Sequence, residues 1–491
     1  MIGTLAVLAW PAVVFWLFSR QRPAAALAWA ILGGYLLLPQ NFILNLPGVP
    51  GIGKTTVAAF ASIVAGMTMI TLAQRAAMVP GTILPGIFPR GRVSKILLIL
   101  LMLGVLGTVL TNGDSLRYGT RFLPGLSLYD ALSGLGNTLF SLLPFFLARK
   151  YLAHPDAQKQ FLIILALAGL IYSLPALYEV RMSPQLSRMI YGYFPHDWRQ
   201  HIRAGGYRPV VFLHHGLWLA IFFCGSFLAA LALWRSSSGK LRTRWLIGAI
   251  WMFAILVLSK GIGALGIGIL LGAIIIFLPV RLQVIWAAAI AGSILVYPML
   301  RGADLVPIGN VVSLAQKVDV ERAGSLEFRL QNEDVLLEKA NQRPLFGWGL
   351  WGRNRVFDDK GNDISVTDGY WAMKIGTGGW IGYIAEMGLL TIPLIFLALR
   401  WRRLALTPAT AGLALALTAN LIDLIPNATL TAVTWLLAGA LAGRLELGRI
   451  PETGDQPVAS DGLPTRRNGY SRQTRRHPPQ LPDPILMQEA R

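Results

Sequence analysis

Long uncharged apolar runs, separated by short polar stretches, make up most of this chain. They lie near residues 2–18, 24–40, 56–73, 96–112, 132–148, 161–178, 209–234, 246–259, 262–279, 283–299, 378–399, 405–424 and 427–443. Most reach the length of about 17 residues that a helix needs to cross a hydrocarbon core. Barrel strands would be shorter and would alternate in polarity, and at this length only helices satisfy the backbone within lipid. The pattern predicts an all-α polytopic integral membrane protein with about 13 transmembrane helices. The stretch 246–279 is too long for one span. Ser259-Lys260-Gly261 divides it and sets Lys260 at a membrane boundary.

Two polar segments interrupt the rhythm. The shorter, about 179–208, is rich in Arg, His and aromatic residues; the longer runs from Arg301 to Gly376. Reversing the chain between spans needs no loop of that size, and long loops with amphipathic segments are usually functional. The expected organisation is a bundle over 1–299, a large loop over 300–377, further spans over 378–445, and a basic, Pro- and Gln-rich tail over 446–491 that lacks the apolar residues to fold.

The chain is 54% hydrophobic with a formal net charge of +20. The basic residues sit in short inter-span loops and the tail, as membrane orientation demands, so nucleic acid is not an expected partner. Threading the spans alternately collects about 17 Lys/Arg on one side, from Arg20/Arg22 to Arg400/Arg402/Arg403, against about four in the short loops opposite. That asymmetry marks a cytoplasmic face and puts both long polar loops, with Lys260, outside. The single cysteine, Cys224, lies inside an apolar run and excludes an intrachain disulfide or a cysteine metal cluster.

Gly48-Val-Pro-Gly-Ile-Gly53-Lys54-Thr55 fits the phosphate-loop pattern letter for letter, but that mechanism needs a soluble α/β sheet around it. Between two apolar runs it reads as a turn with a lysine at headgroup level. Three other clusters can carry chemistry. Arg203-Ala-Gly-Gly-Tyr-Arg208 leads toward His214-His215 in the next apolar run. Its arginines match phosphate oxygens bidentately, or simply snorkel at the interface, and His214 either faces a cavity or caps a helix end. The segment from Ser325 to about Ala340 predicts a Ser-capped helix with a stripe of Leu326, Leu330 and Leu337. On it, Arg329 either holds a ligand or pairs with Glu333 at i, i+4. Asp368, followed by Gly369-Tyr370-Trp371, accepts a proton from a hydroxyl or pairs with an arginine. Histidines 196, 201, 214 and 215, with Asp197, match no familiar metal-ligand spacing, so no metal site is expected.

Arg329 followed by Arg343-Pro-Leu-Phe-Gly347-Trp-Gly349, with Asp368-Gly-Tyr-Trp, Trp380 to Glu386-Met-Gly388 and the Arg203–Phe212 segment, resembles the signatures of bacterial O-antigen ligases and Wzy-type O-antigen and exopolysaccharide polymerases over roughly residues 95–445. The resemblance implies a GT-C-like fold in the inner membrane and a metal- and cofactor-independent glycosyltransferase whose active site faces the periplasm. The donor it implies is an undecaprenyl-pyrophosphate-linked oligosaccharide. A glycan acceptor, the bilayer and polysaccharide-assembly proteins are the other implied partners. Arg329 with Arg203 or Arg208 would hold the pyrophosphate, Lys260 standing beside them, with Arg343 a further candidate. Where ligases carry His-Asn this chain has Asp368-Gly369, which leaves Asp368 or His214/His215 as general base and favours polymerase over ligase. A polysaccharide transporter is the reading of another class.

Overall fold

The computed structural model describes residues 2–46, 49–70, 82–203, 205–303 and 320–449, with scattered positions between 305 and 317. Each predicted apolar run is a helix: α1 (Ile2–Arg20), α2 (Pro23–Leu37), α3 (Lys54–Thr68), α4 (Arg92–Leu110), α5 (Leu128–Tyr151) and α6 (Pro155–Met182). After the short α7 (Leu186–Tyr191) come α8 (Gly216–Ser236), α9 (Gly239–Leu258), α10 (Ile262–Phe277) and α11 (Val280–Gly302). The loop helix α12 (Val320–Asn341) precedes α13 (Tyr370–Leu399), the single turn α14 (Trp401–Leu404), α15 (Pro408–Asp423) and α16 (Ala432–Leu447). Among the described residues, strand is confined to three small antiparallel hairpins, at 44–52, 116–123 and 202–207. With about 72% of the chain helical, the class is all-α.

Eight described helices are long and apolar enough to cross a membrane. Their outer faces say the same. Ile96, Ile99 and Leu103 on α4 and Ile247 and Ile250 on α9 stand exposed, as do Ile269 and Leu270 on the shorter apolar α10. Water does not tolerate so much contiguous apolar surface, whereas lipid solvates it. At the centre α8 is buried almost from end to end, packed by α6, α9, α10 and α15. Small residues permit the close approaches: Gly439 lies against the Phe145 backbone and Gly412 against Ala232.

The two ends of the bundle differ. At one, Arg149 pairs with Glu446 and donates to the Pro85 and Gly86 carbonyls at 3.0 and 3.1 Å, while the Arg90 amide donates to Glu446 at 2.9 Å. Arg235, at the end of α8, donates to the Ile275 and Leu278 carbonyls. These residues belong to the basic set that charge counting put on one side. At the other end Tyr191 Oη donates to the Leu37 carbonyl at 2.5 Å and Lys54 Nζ to the Phe212 carbonyl at 3.2 Å.

Helix α13 is broken at Gly379 (φ 64°), and the Arg343–Gly349 segment is spliced into the break. The amides of Trp348 and Gly349 donate to the carbonyls of Gly376 and Thr377 at 2.8 and 2.9 Å. The amides of Trp380 and Ile381 donate to Pro344 and Leu345 at 2.8 and 3.2 Å. A broken helix leaves orphan carbonyls on one side and orphan amides on the other, and this segment satisfies both. Any Cβ on Gly379 would lie 2.3 Å from the Leu345 carbonyl, so glycine is a steric requirement there.

Several expectations are corrected. The apolar run 209–234 becomes helical only at Gly216, so His214 and His215 precede the helix and do not lie a turn inside it. Instead of a cap, Ser325 is an interior residue, since α12 already runs from Val320. The buried stripe of α12 passes through Glu333, Leu336 and Ala340. Lys54 turns into the protein: it is 6% exposed, the first residue of α3, with its Nζ donating to the Leu38 carbonyl at 3.5 Å as well as to Phe212. The hairpin before it is antiparallel, and nothing in the described residues supplies the parallel sheet of a phosphate loop. The described part of the 300–377 loop belongs to the same compact unit as the bundle, Met1–Ile450. The tail from Pro451, and Ala204, lie outside the described residues.

Candidate anion-binding site

The site begins with a buried carboxylate. Glu179, near the end of α6, accepts the amides of Val210 and Val211 at 2.7 Å each and of Leu186 at 2.9 Å. Those bonds hold Val211 at a φ of 56°, a conformation costly for a β-branched residue and tolerated only where the surroundings over-determine it. This anchors the segment between the 202–207 hairpin and α8. Arg208 leaves the hairpin and its Nη2 donates to the Lys260 carbonyl at 3.1 Å. Lys260, itself at a φ of 54° in the α9–α10 break, donates through Nζ to the Arg203 carbonyl at 2.7 Å. Gly206 leaves room for that ammonium, because a Cβ there would fall 2.5 Å from Nζ.

The large loop supplies the opposite wall. Arg329 Nε lies 3.2 Å from Asp368 Oδ2, each side chain about one-third exposed. The alternative i, i+4 pairing of Arg329 with Glu333 is therefore not made. Glu333 turns inward, 6% exposed, beside Gly369 and the Trp371 indole. Burial pushes its carboxyl up to about 7, against the pull of the Arg301 charge. Burial, and then the charges of Arg203 and Arg329, push Arg208 down to about 10. Arg208 Nε is buried with no hydrogen-bond partner. Four cations thus gather at one end of the bundle, with Asp368 the carboxylate paired among them. Asp423, buried at the end of α15 and held by Asn427 and Thr429 at 2.9 and 2.6 Å, also feels Arg329.

Other candidates fall elsewhere. Arg343 is a structural clamp. Its guanidinium donates to the Thr111 carbonyl, to Asn112 Oδ1 at 2.8 Å and to Asp114 Oδ2 at 2.8 Å, and stacks over Trp348. Arg353, fully buried, donates to the Pro124 carbonyl at 2.8 Å and reaches the same Asp114. The hydrogen bond from Arg343 holds the Asp114 carboxyl below its ordinary range. Asn112, Asp114 and Arg353 had no signal in the sequence, because a clamp between residues more than two hundred positions apart leaves no periodicity.

Nor does hydropathy disclose a run of cavities along α5. Spaces of about 220, 170 and 400 Å³ share Asn137 as a lining residue. Glu386 lines the second and third, paired with Lys374 and accepting the Tyr370 hydroxyl at 2.5 Å. Lys54 lines the largest.

The histidines form a separate group. His215 caps α8, its Nδ1 accepting the Leu217 amide at 3.1 Å. The rings of His196 and His201 each lie near it, with centroids 4.7 Å away. His214 is 5.7 Å from His196. Burial, and then the Arg208 charge, push His201 down to about 4. The spacing in sequence, which matches no familiar metal-ligand motif, hid this convergence.

No protein-family model matches this chain, and no curated protein matches it.

Proposed function

We propose that this protein is a membrane glycosyltransferase that acts on undecaprenyl-pyrophosphate-linked glycans at the periplasmic face of the bacterial inner membrane, polymerising exopolysaccharide or O-antigen repeat units. The observation that carries this reading is the cationic group Arg203, Arg208, Lys260 and Arg329 beside a partly exposed Asp368. The charges of Arg203 and Arg329 press on Arg208, whose Nε is buried without a partner, so an anion bound among these arginines would be favoured. Pyrophosphate has the charge and geometry to supply it.

In this reading the donor pyrophosphate takes Arg329 away from Asp368. The freed carboxylate accepts the proton of the acceptor hydroxyl, whose oxygen attacks the anomeric carbon. The bond from that carbon to the pyrophosphate oxygen breaks, and the arginines stabilise the charge that develops on the departing undecaprenyl pyrophosphate. The reading takes all thirteen apolar helices as spans, with short ones such as α2 and α10 beside longer partners. The cavities that share Asn137 offer room for the carrier or acceptor chain.

Purified protein in lipid, given the lipid-linked oligosaccharide and no nucleotide, is expected to lengthen glycan and release undecaprenyl pyrophosphate. Arg329→Ala should lower turnover by at least about 100-fold, the scale of losing one preorganised charge-stabilising donor. Its stability should hold, because a pair this exposed contributes at most about 1 kcal/mol. Near-normal turnover in Arg329→Ala would overturn the pyrophosphate assignment. Movement of intact glycan without bond cleavage would favour a transporter, and transfer onto a lipid or protein acceptor a ligase. Sidedness has its own test. Cys224 is buried, so a lone Lys360→Cys on the exposed loop should react with an impermeant maleimide from the periplasm, and labelling only after permeabilisation would reverse the orientation.

A further inference from the structure

His201 is fully buried, and neither of its ring nitrogens has a hydrogen-bond partner. A neutral imidazole carries one donor and one lone pair, and burying both unpaired is unfavourable. The Nδ1 of His196 is buried and unpartnered as well. These two rings and that of His215 converge from the 192–203 segment and the head of α8, with their ligating nitrogens all within 4.8 Å of one another. Three imidazoles in one buried cage, two of them with unsatisfied nitrogens, are a donor set for a transition metal and not for a hard cation, which takes oxygen ligands.

We propose that His196, His201 and His215 form a Zn²⁺ site that fastens the 192–203 segment to the start of α8. Tetrahedral zinc with nitrogen at about 2.0–2.1 Å sets its ligands roughly 3.3 Å apart, so the cage closes by side-chain rotation as the ion enters. Ligation through His215 Nε2 moves the proton to Nδ1. The Leu217 amide then gives up its present acceptor, and a bond to zinc replaces a helix-cap bond. A fourth position remains for water. The site has a direct mechanical link to the cationic group, since the Arg208 amide donates to the His201 carbonyl at 2.8 Å. Closing the cage fixes the backbone from which Arg208 projects. The metal is a positioning element, and the proposal stands whether or not the protein transfers glycans.

The test uses full-length protein purified without a polyhistidine tag, stripped with a chelator and titrated with Zn²⁺ and Co²⁺. One Zn²⁺ per chain is expected by elemental analysis, and Co²⁺ should give the intense visible bands of a four-coordinate ion. His201→Ala and His196→Asn should each weaken Zn²⁺ binding beyond the roughly 10–100-fold that loss of an outer-shell partner costs. His154→Ala, remote from the cage, should bind as the parent does. If His201→Ala fails to fold, His196→Asn decides, because that ring is only half-buried. Substoichiometric binding, weak six-coordinate cobalt bands, or unchanged affinity in the cage variants would overturn the site.

Discussion

Replacing Glu333 by glutamine should remove a pH dependence of stability that the native protein carries. The carboxyl is 6% exposed on the inward face of α12, with Oε2 unpartnered and Oε1 next to Gly369 and the Trp371 indole. Burial raises it from the ordinary 4.5 to about 7. The folded state therefore keeps a proton that the unfolded chain has lost. This contribution to stability is fully present below 4.5 and disappears as pH rises through 7. At 1.36 kcal/mol for each pH unit, the difference between the ends of that window is about 3 kcal/mol. Glutamine keeps the shape of the side chain and cannot ionise. Unfolding in mixed micelles, followed by tryptophan fluorescence from pH 4 to 8, should show variant and parent alike at the acid end. Above pH 7 the variant should be more stable by up to about 3 kcal/mol. Other titrating groups are common to both proteins and cancel in the difference. Parallel curves across the whole range would refute the argument and mean that Glu333 is solvated or paired in the folded state.

Two further substitutions probe the scaffold. Gly379→Ala puts a Cβ into the Leu345 carbonyl at a positive φ, and should destabilise by at least about 2 kcal/mol, read as a lower midpoint of thermal unfolding. Glu179→Ala strands the amides of Leu186, Val210 and Val211, and should lose about 3 kcal/mol or more. It should also raise proteolysis between Ile202 and Phe212, because the strained Val211 loses its restraint.

The motif Arg343-Pro-Leu-Phe-Gly-Trp-Gly was visible as a motif, but its role was not. A signature read from sequence suggests a binding loop; in the fold its backbone completes a broken helix and its arginine clamps Asn112 and Asp114. Arg329 and Asp368 are both legible as candidates in the sequence, but their pairing with each other at 3.2 Å, in place of Arg329 with Glu333, is not. The base at Asp368 stays part of the proposal.

What the sequence determined by itself was the set of helices, because a bilayer-length apolar run has one backbone solution in lipid and records it in local composition. The break at Ser259-Lys260-Gly261 and the sharing of one end by the two polar segments were also legible, since charge and turn chemistry are local. The tertiary structure alone decided which buried polar groups meet. Glu179 under Val210 and Val211, His196 and His201 around His215, Glu333 behind Asp368, and Lys54 against the Phe212 carbonyl are all partnerships across sequence distance. Their energies come from burial and from hydrogen bonds to residues far along the chain. Composition and periodicity carry no record of either.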